Sequence, residues 1–205
     1  MAVSLHKPGF ALFEVVNVLA EMFHVHEDRR ETFISRIQQL QKLGLPADVN
    51  LGRGAKVRYV NWQLADLSIM LELLNCGIPP GVLKDYFRPF GRNYIGIYSM
   101  GGADWHIQNS LAENKPDLFQ LLRFNALSYL TKPRSSEEDE AHPLDRRDFG
   151  RSSENVVEEL SKAPALTINL TDHLRRLRAA VEKIYPARME DITFYPTRSG
   201  LREDT

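Results

Sequence analysis

From Leu12 to Phe23 the apolar residues Leu12, Phe13, Val15, Val16, Leu19, Met22 and Phe23 recur at the three- and four-residue spacing of a helix with a broad apolar face. The stretch HVHED breaks this pattern. Asp28 then predicts the N-cap of a second helix, RRETFISRIQQLQKL, that turns Phe33, Ile34, Ile37, Leu40 and Leu43 inward. Its other face carries Arg29, Arg30, Thr32, Ser35, Arg36, Gln39 and Lys42. Gly44 fits the left-handed position beyond the helix end, Leu45 supplies the accompanying apolar contact, and Pro46 blocks continuation. VNL and AKVRYV, alternating loosely around GRG, predict a hairpin with a glycine-flanked tip. Asn61 is the expected cap of a strongly apolar helix from Trp62 to about Cys76. CGIPP ends that helix and starts another at Pro79 or Pro80, with Val82, Leu83, Tyr86 and Phe87 inward. The order is helix, helix, hairpin, helix, helix, to about residue 90.

Further on, NYIGIYSM (93–100) and ALTINLT (165–171) read as strands, and FQLLRFNALSYL (119–130) suits a strand or a helix. The stretch from Thr131 to Ser153 has few large apolar residues and many charges and turn formers, so a disordered insertion is expected there. TDHLRRLRAAVEKIY predicts an amphipathic helix with Leu174, Leu177, Val181 and Ile184 on one face and Arg175, Arg176, Arg178 and Lys183 on others. The expected fold class is α+β and mainly helical. Residues 1–90 form an N-terminal unit, and 91–205 a small α+β domain for dimerisation or regulation.

Composition changes little in this picture. With 43% hydrophobic and 26% charged residues, the 205-residue chain has the make-up of a soluble globular protein. Its single cysteine, Cys76, excludes a disulfide framework and a cysteine-rich zinc site; a cytoplasmic setting and burial of Cys76 as a small apolar residue are expected. FALFEVVNVLAEMF is interrupted by Glu14, Asn17 and Glu21, too short and too polar to span a bilayer, and no secretory signal precedes it. No membrane association is expected.

Charge distribution changes the picture more. The net charge is −1, yet between Arg29 and Val60 seven basic residues stand against two acidic ones. A neutral chain with one concentrated basic segment has the character of a site-directed phosphate binder. Two helices joined by a tight turn, the second presenting basic and polar side chains, meet the needs of a helix-turn-helix. Arg53 at the hairpin tip, with Lys56 and Arg58 on one strand face, could straddle a sugar-phosphate backbone. Tyr59, of opposite parity, is expected to pack beneath the hairpin.

RIQQLQKLGLP, followed by VRYVNWQLADLSIMLELLNCGIPPGVLKDYF, resembles the DNA-binding domain of MerR-type regulators over roughly residues 12–87. In that family a recognition helix ends at a Gly-Leu pair, a basic wing ends in Arg-Tyr, and a capped helix leads through a glycine turn to another short helix. The resemblance implies a winged helix-turn-helix that binds double-stranded DNA as a homodimer. The recognition helix, about residues 28–43, would lie in the major groove, and the wing, 51–59, on the flanking backbone. By position it brings Arg36, Gln38 and Gln39 to bases and phosphates, and Arg53, Lys56, Arg58 and Tyr59 to the wing. Arg29, Arg30, Ser35 and Lys42 complete the expected DNA-binding set.

Enzyme chemistry finds no support. GRGAKV lacks the spacing of a phosphate-cradling loop, HVHED has no third separated ligand motif, and no Ser/His/Asp or Cys/His arrangement can be named, so neither catalysis, cofactor nor metal is expected. Trp105–His106 is the best place for a pocket. Two alternatives stay open: a module that docks RNA polymerase or another regulator, and a small-molecule sensor in the C-terminal half.

Overall fold

A computed structural model describes residues 9–49, 57–87, 119–124, 144–150, 157–158, 160–161 and 165–191. Among these the chain is mainly helical, with two small antiparallel sheets. Strand β1 (Phe10–Ala11) leads directly into α1 (Leu12–Met22). A 3-10 turn (Glu27–Arg29) precedes α2 (Arg30–Lys42), and β2 (Arg58–Tyr59) precedes α3 (Asn61–Asn75) and α4 (Pro80–Phe87). Strands β3 (Phe119–Phe124), β4 (Leu144–Gly150) and β5 (Leu166–Asn169) form the second sheet. Helix α5 (Leu170–Ile184) and a 3-10 segment (Pro186–Asp191) follow.

The helix ends follow from local chemistry. At the C-terminus of α2, Leu45 N–H donates to the Leu40 carbonyl at 2.9 Å and Gly44 N–H to that of Gln41 at 2.9 Å, with Gly44 at φ +79. Two carbonyls that would otherwise be orphaned are satisfied, and buried Leu40 and Leu45 supply the apolar contact. The α1 terminus repeats this pairing: Val25 N–H donates to Ala20 and His24 N–H to Glu21, with His24 itself at φ +52. The expected caps differ by one or two residues from those observed. His26, not Asp28, opens the turn before α2, its Nδ1 accepting from Asp28 N–H at 3.4 Å. Asn61 is the first residue of α3 rather than its cap; Val60 holds that place, its N–H donating to Gln63 Oε1 at 2.9 Å.

In the second sheet β3 is central, with β4 on one edge and β5 on the other, both antiparallel to it. Phe119 aligns with Gly150 and Asn169, and the β4 register shifts between Gln120 and Leu122. β4 lies inside 131–153, so that stretch is not wholly a disordered insertion: backbone pairing, which needs no apolar side chains, gives Leu144–Gly150 a place in the sheet. The expected strand over 165–171 stops at Asn169, whose side chain accepts from Asp172 N–H at 2.9 Å and starts α5. The expected strand at 93–100 and Trp105–His106 lie outside the described residues.

One hydrophobic cluster runs across residue 90. Val15, Leu19, Ile37, Leu40, Leu64, Leu67, Ile69 and Leu83 share it with Leu122, Ile168, Leu174, Leu177 and Val181. α5 therefore completes the core of the N-terminal helices instead of closing a separate one. Deeply apolar α3 buries both faces, as its near-continuous run of Leu, Ile and Met requires.

Candidate nucleic-acid interface

The second helix divides cleanly. Phe33, Ile37 and Leu40 are buried, while Glu31, Thr32, Ser35, Arg36, Gln38, Gln39 and Lys42 are exposed. The exposed residues fall on two neighbouring rows, 31-35-38-42 and 32-36-39, which gives a wide polar arc with Glu31 as its one acid. Arg29, in the turn that opens the helix, is exposed as well. Six of the expected DNA-binding side chains, Arg29, Ser35, Arg36, Gln38, Gln39 and Lys42, are thus on one solvent-facing surface. Ser35 has its hydroxyl proton committed to the Glu31 carbonyl at 3.0 Å, leaving its lone pairs for an outside donor. Arg30 stands apart from this group: it is half-buried, its Nε is 3.7 Å from Glu27 Oε2, and that nitrogen makes no hydrogen bond.

Of the segment in which a basic hairpin is expected, the structure describes 57–60, which contains β2. β2 pairs antiparallel with β1, Phe10 opposite Tyr59 and Ala11 opposite Arg58, so its partner among the described residues is the segment that leads into α1. Arg53 and Lys56 lie outside the described residues. Arg58 is half-buried and donates from Nη1 to the Gly9 carbonyl at 2.8 Å, which ties it to the root.

Tyr59 corrects its assignment to the contact surface. Its side chain is fully buried, and its hydroxyl accepts a hydrogen bond from Gln41 Nε2 at 2.5 Å. Burial pushes the phenol well above its usual pKa, and the Gln41 bond opposes this. Strand alternation, which puts Tyr59 on the face opposite half-buried Arg58, accounts for the burial. Tyr59 thereby joins the strand to the inner edge of α2. Buried Gln63 adds a second tie, accepting from Val60 N–H and donating from Nε2 to the Ala47 carbonyl at 2.8 Å. The loop after α2 and the residue between β2 and α3 are held by one side chain.

Gln41, Gln63 and Arg188 were not picked out by sequence reasoning. Gln63 carried a readable signal, three residues after Val60 at the start of a helix. Gln41 and Arg188 carried none, since their partners are far along the chain.

The structure also assembles a Ser/His/Glu cluster absent from the sequence reading. Ser68 Oγ is 2.9 Å from His173 Nε2, and His173 Nδ1 is 3.9 Å from Glu72 Oε2. Its order resembles a nucleophilic triad, but Ser68 and His173 have no solvent exposure and the serine hydroxyl donates to the Ala65 carbonyl at 2.7 Å. No substrate atom can reach Ser68 there, so the pair pins α3 to α5. Burial, reinforced by the positive charge of Arg176, lowers the His173 pKa to about 3 and keeps the imidazole neutral.

Cys76, expected to be buried, is exposed: it caps the C-terminus of α3, just beyond Asn75 and before the glycine turn. Partial desolvation by its neighbours and then the nearby Glu72 carboxylate raise its thiol pKa. Among the described residues no three His, Cys, Asp or Glu side chains are grouped to hold a metal ion, and no helix is long and apolar enough to cross a membrane. In comparisons with known proteins, no family model matches the chain and no curated protein matches it.

Proposed function

We propose that the protein is a winged helix-turn-helix regulator that binds double-stranded DNA as a homodimer, α2 entering the major groove and the hairpin resting on the flanking backbone. The observation that carries this reading is the exposed arc of α2. Arg36, Gln38, Gln39 and Lys42 point outward together, beside Arg29, on a helix whose other face is locked in the core. Groove recognition needs a rigid element, and α2 is fixed by Ile37 and Leu40 inside and by Gln41 to the hairpin strand. One helix reads too few bases to choose a site alone, which is why two symmetric copies belong to the proposal.

Two classes of variant test it on a bound duplex. Arg36→Ala and Lys42→Ala should weaken binding to every sequence and each lower the salt slope by about 0.9, as one phosphate contact is lost. Gln39→Ala should relax preference at one base pair, costing about 1–3 kcal/mol there. Equal losses from Gln39→Ala on all duplexes would remove it from base readout.

A second reading, docking of RNA polymerase or another regulator, draws on Phe13, which is 66% exposed on α1. Binding to such a partner that ignores salt and is lost in Phe13→Ser would favour it.

A further inference from the structure

The polar interruptions of α1 have partners in the last described segment of the chain. Glu14, Asn17 and Glu21 stand three and four residues apart, hence on one helix face. Arg188 Nη1 is 3.4 Å from Glu14 Oε2, Asn17 Nδ2 donates to the Tyr185 hydroxyl at 3.1 Å, and Lys183 Nζ donates to Glu21 Oε1 at 2.6 Å. The three pairs run antiparallel along α1, with the most buried of them at its N-terminal end: the side chains of Arg188 and Glu14 are 11% and 14% exposed.

Arg188 does more than pair with Glu14. Both of its terminal nitrogens donate to the Gly9 carbonyl at 3.2 Å, and its guanidinium carbon lies 4.6 Å from the centre of the Phe10 ring. That same Gly9 carbonyl accepts from Arg58 of β2. Glu14 in turn accepts from Ala11 N–H at 2.6 Å, at the end of β1. Two guanidinium groups, Arg58 from β2 and Arg188 from the segment after α5, thus meet on one backbone oxygen beside the two-residue β1–β2 pairing.

We propose that Arg188 is a positioning residue for the β1–β2 pairing: by fixing Gly9, Phe10 and Glu14 it holds β1 in register for β2 and so sets where β2 stands relative to α2. A pairing of two residues per strand cannot hold itself, and charge-assisted bonds to its first carbonyl supply what the short ladder lacks. The consequence for DNA binding rests on the winged helix-turn-helix reading, whereas the structural role does not.

Hydrogen exchange followed by mass spectrometry on the full chain tests the structural role. Arg188→Ala should speed exchange of the segments 9–12 and 57–60 by about tenfold or more, the scale of a lost charge-assisted bond. Exchange within α2 should stay as in the wild type. Arg188→Lys, which keeps the charge near Glu14 but loses the guanidinium fork, should lie between them and covers the case in which Arg188→Ala does not fold. Lys183→Ala, which removes the exposed pair, should leave 57–60 unchanged. No change at 57–60 in either Arg188 variant, or the same acceleration there from Lys183→Ala, would overturn the proposal. On a duplex that the wild type binds, Arg188→Ala should loosen protection of the backbone flanking the site while major-groove protection persists. A wild type that binds no duplex would defeat the functional reading, and the exchange result would still decide the role of Arg188.

Discussion

Protonation of His173 offers a quantitative test of how α3 and α5 are joined. The imidazole is fully buried, hydrogen-bonded to Ser68 through Nε2, and lacks a hydrogen-bond partner at Nδ1. Glu72 from α3 lies 3.9 Å from Nδ1, and Arg176 from α5, whose charge also acts on the imidazole, bridges Glu72 at 3.9 Å and Asp172 at 3.1 Å. A proton on His173 would therefore be buried beside a carboxylate already engaged by a guanidinium. The folded-state pKa is about 3, against 6.5 for the ordinary group. Between those values the unfolded chain binds a proton that the folded chain does not, so stability is fully present above pH 6.5 and falls as pH drops toward 3. Each unit in that window is worth about 1.4 kcal/mol, so acidification from pH 7.5 to 4.5 should remove about 3 kcal/mol through this group alone. Urea midpoints measured across that range for the wild type and His173→Gln isolate the effect, because the variant keeps a donor for Ser68 but does not titrate. His173→Gln should be less stable at pH 7.5 and lose about 3 kcal/mol less on acidification, with the denaturant slope unchanged. Parallel stability curves, or an imidazole that titrates near 6.5 in the folded protein, would refute the reasoning.

Other expected outcomes follow from single positions. Gly9→Ala should destabilise more than Gly44→Ala: both glycines have positive φ, but a Cβ at Gly9 would sit 2.7 Å from the Tyr59 carbonyl oxygen, while one at Gly44 meets nothing within 4 Å. Thermal melts should give about 1–2 kcal/mol for Gly44→Ala, and equal losses at the two sites would contradict the close approach of Gly9 to β2. Cys76 should be labelled by a thiol reagent in the native protein without unfolding, since it is exposed, but more slowly at pH 7.5 than a free cysteine because its pKa is raised. Tyr59→Phe should cost about 1 kcal/mol by leaving Gln41 without its acceptor, read as a lowered urea midpoint; no change would mean that Gln41 does not tie α2 to the strand.

What the sequence makes legible is the part built from nearby residues. The period of Phe33, Ile37 and Leu40 foretells which face of α2 is buried, and the Gly44–Leu45–Pro46 stop foretells its end, because both depend on side chains within one or two turns. The inward turn of Tyr59 follows from strand parity alone. Long-range matters were not legible. Glu14, Asn17 and Glu21 look like mere interruptions of an apolar run until α5 and the segment after it bring Arg188, Tyr185 and Lys183 alongside. The charged Leu144–Gly150 strand was hidden because its place in the sheet comes from backbone pairing with β3, which leaves no mark in composition. The boundary at residue 90 misled for a related reason: the amphipathic pattern of α5 announces a buried face, but not that α1 and α3 are what cover it.

The central claim, that the exposed arc of α2 reads DNA, is tested most directly by selecting bound duplexes from a randomised pool with the wild type beside an Arg36→Ala, Gln39→Ala, Lys42→Ala triple variant. All three side chains are exposed, so the variant should fold as the wild type does, with an unchanged melting curve. The wild type should enrich a two-fold related motif that the variant loses. No enrichment by the wild type at low or physiological salt, or the same motif recovered from both proteins, would contradict it.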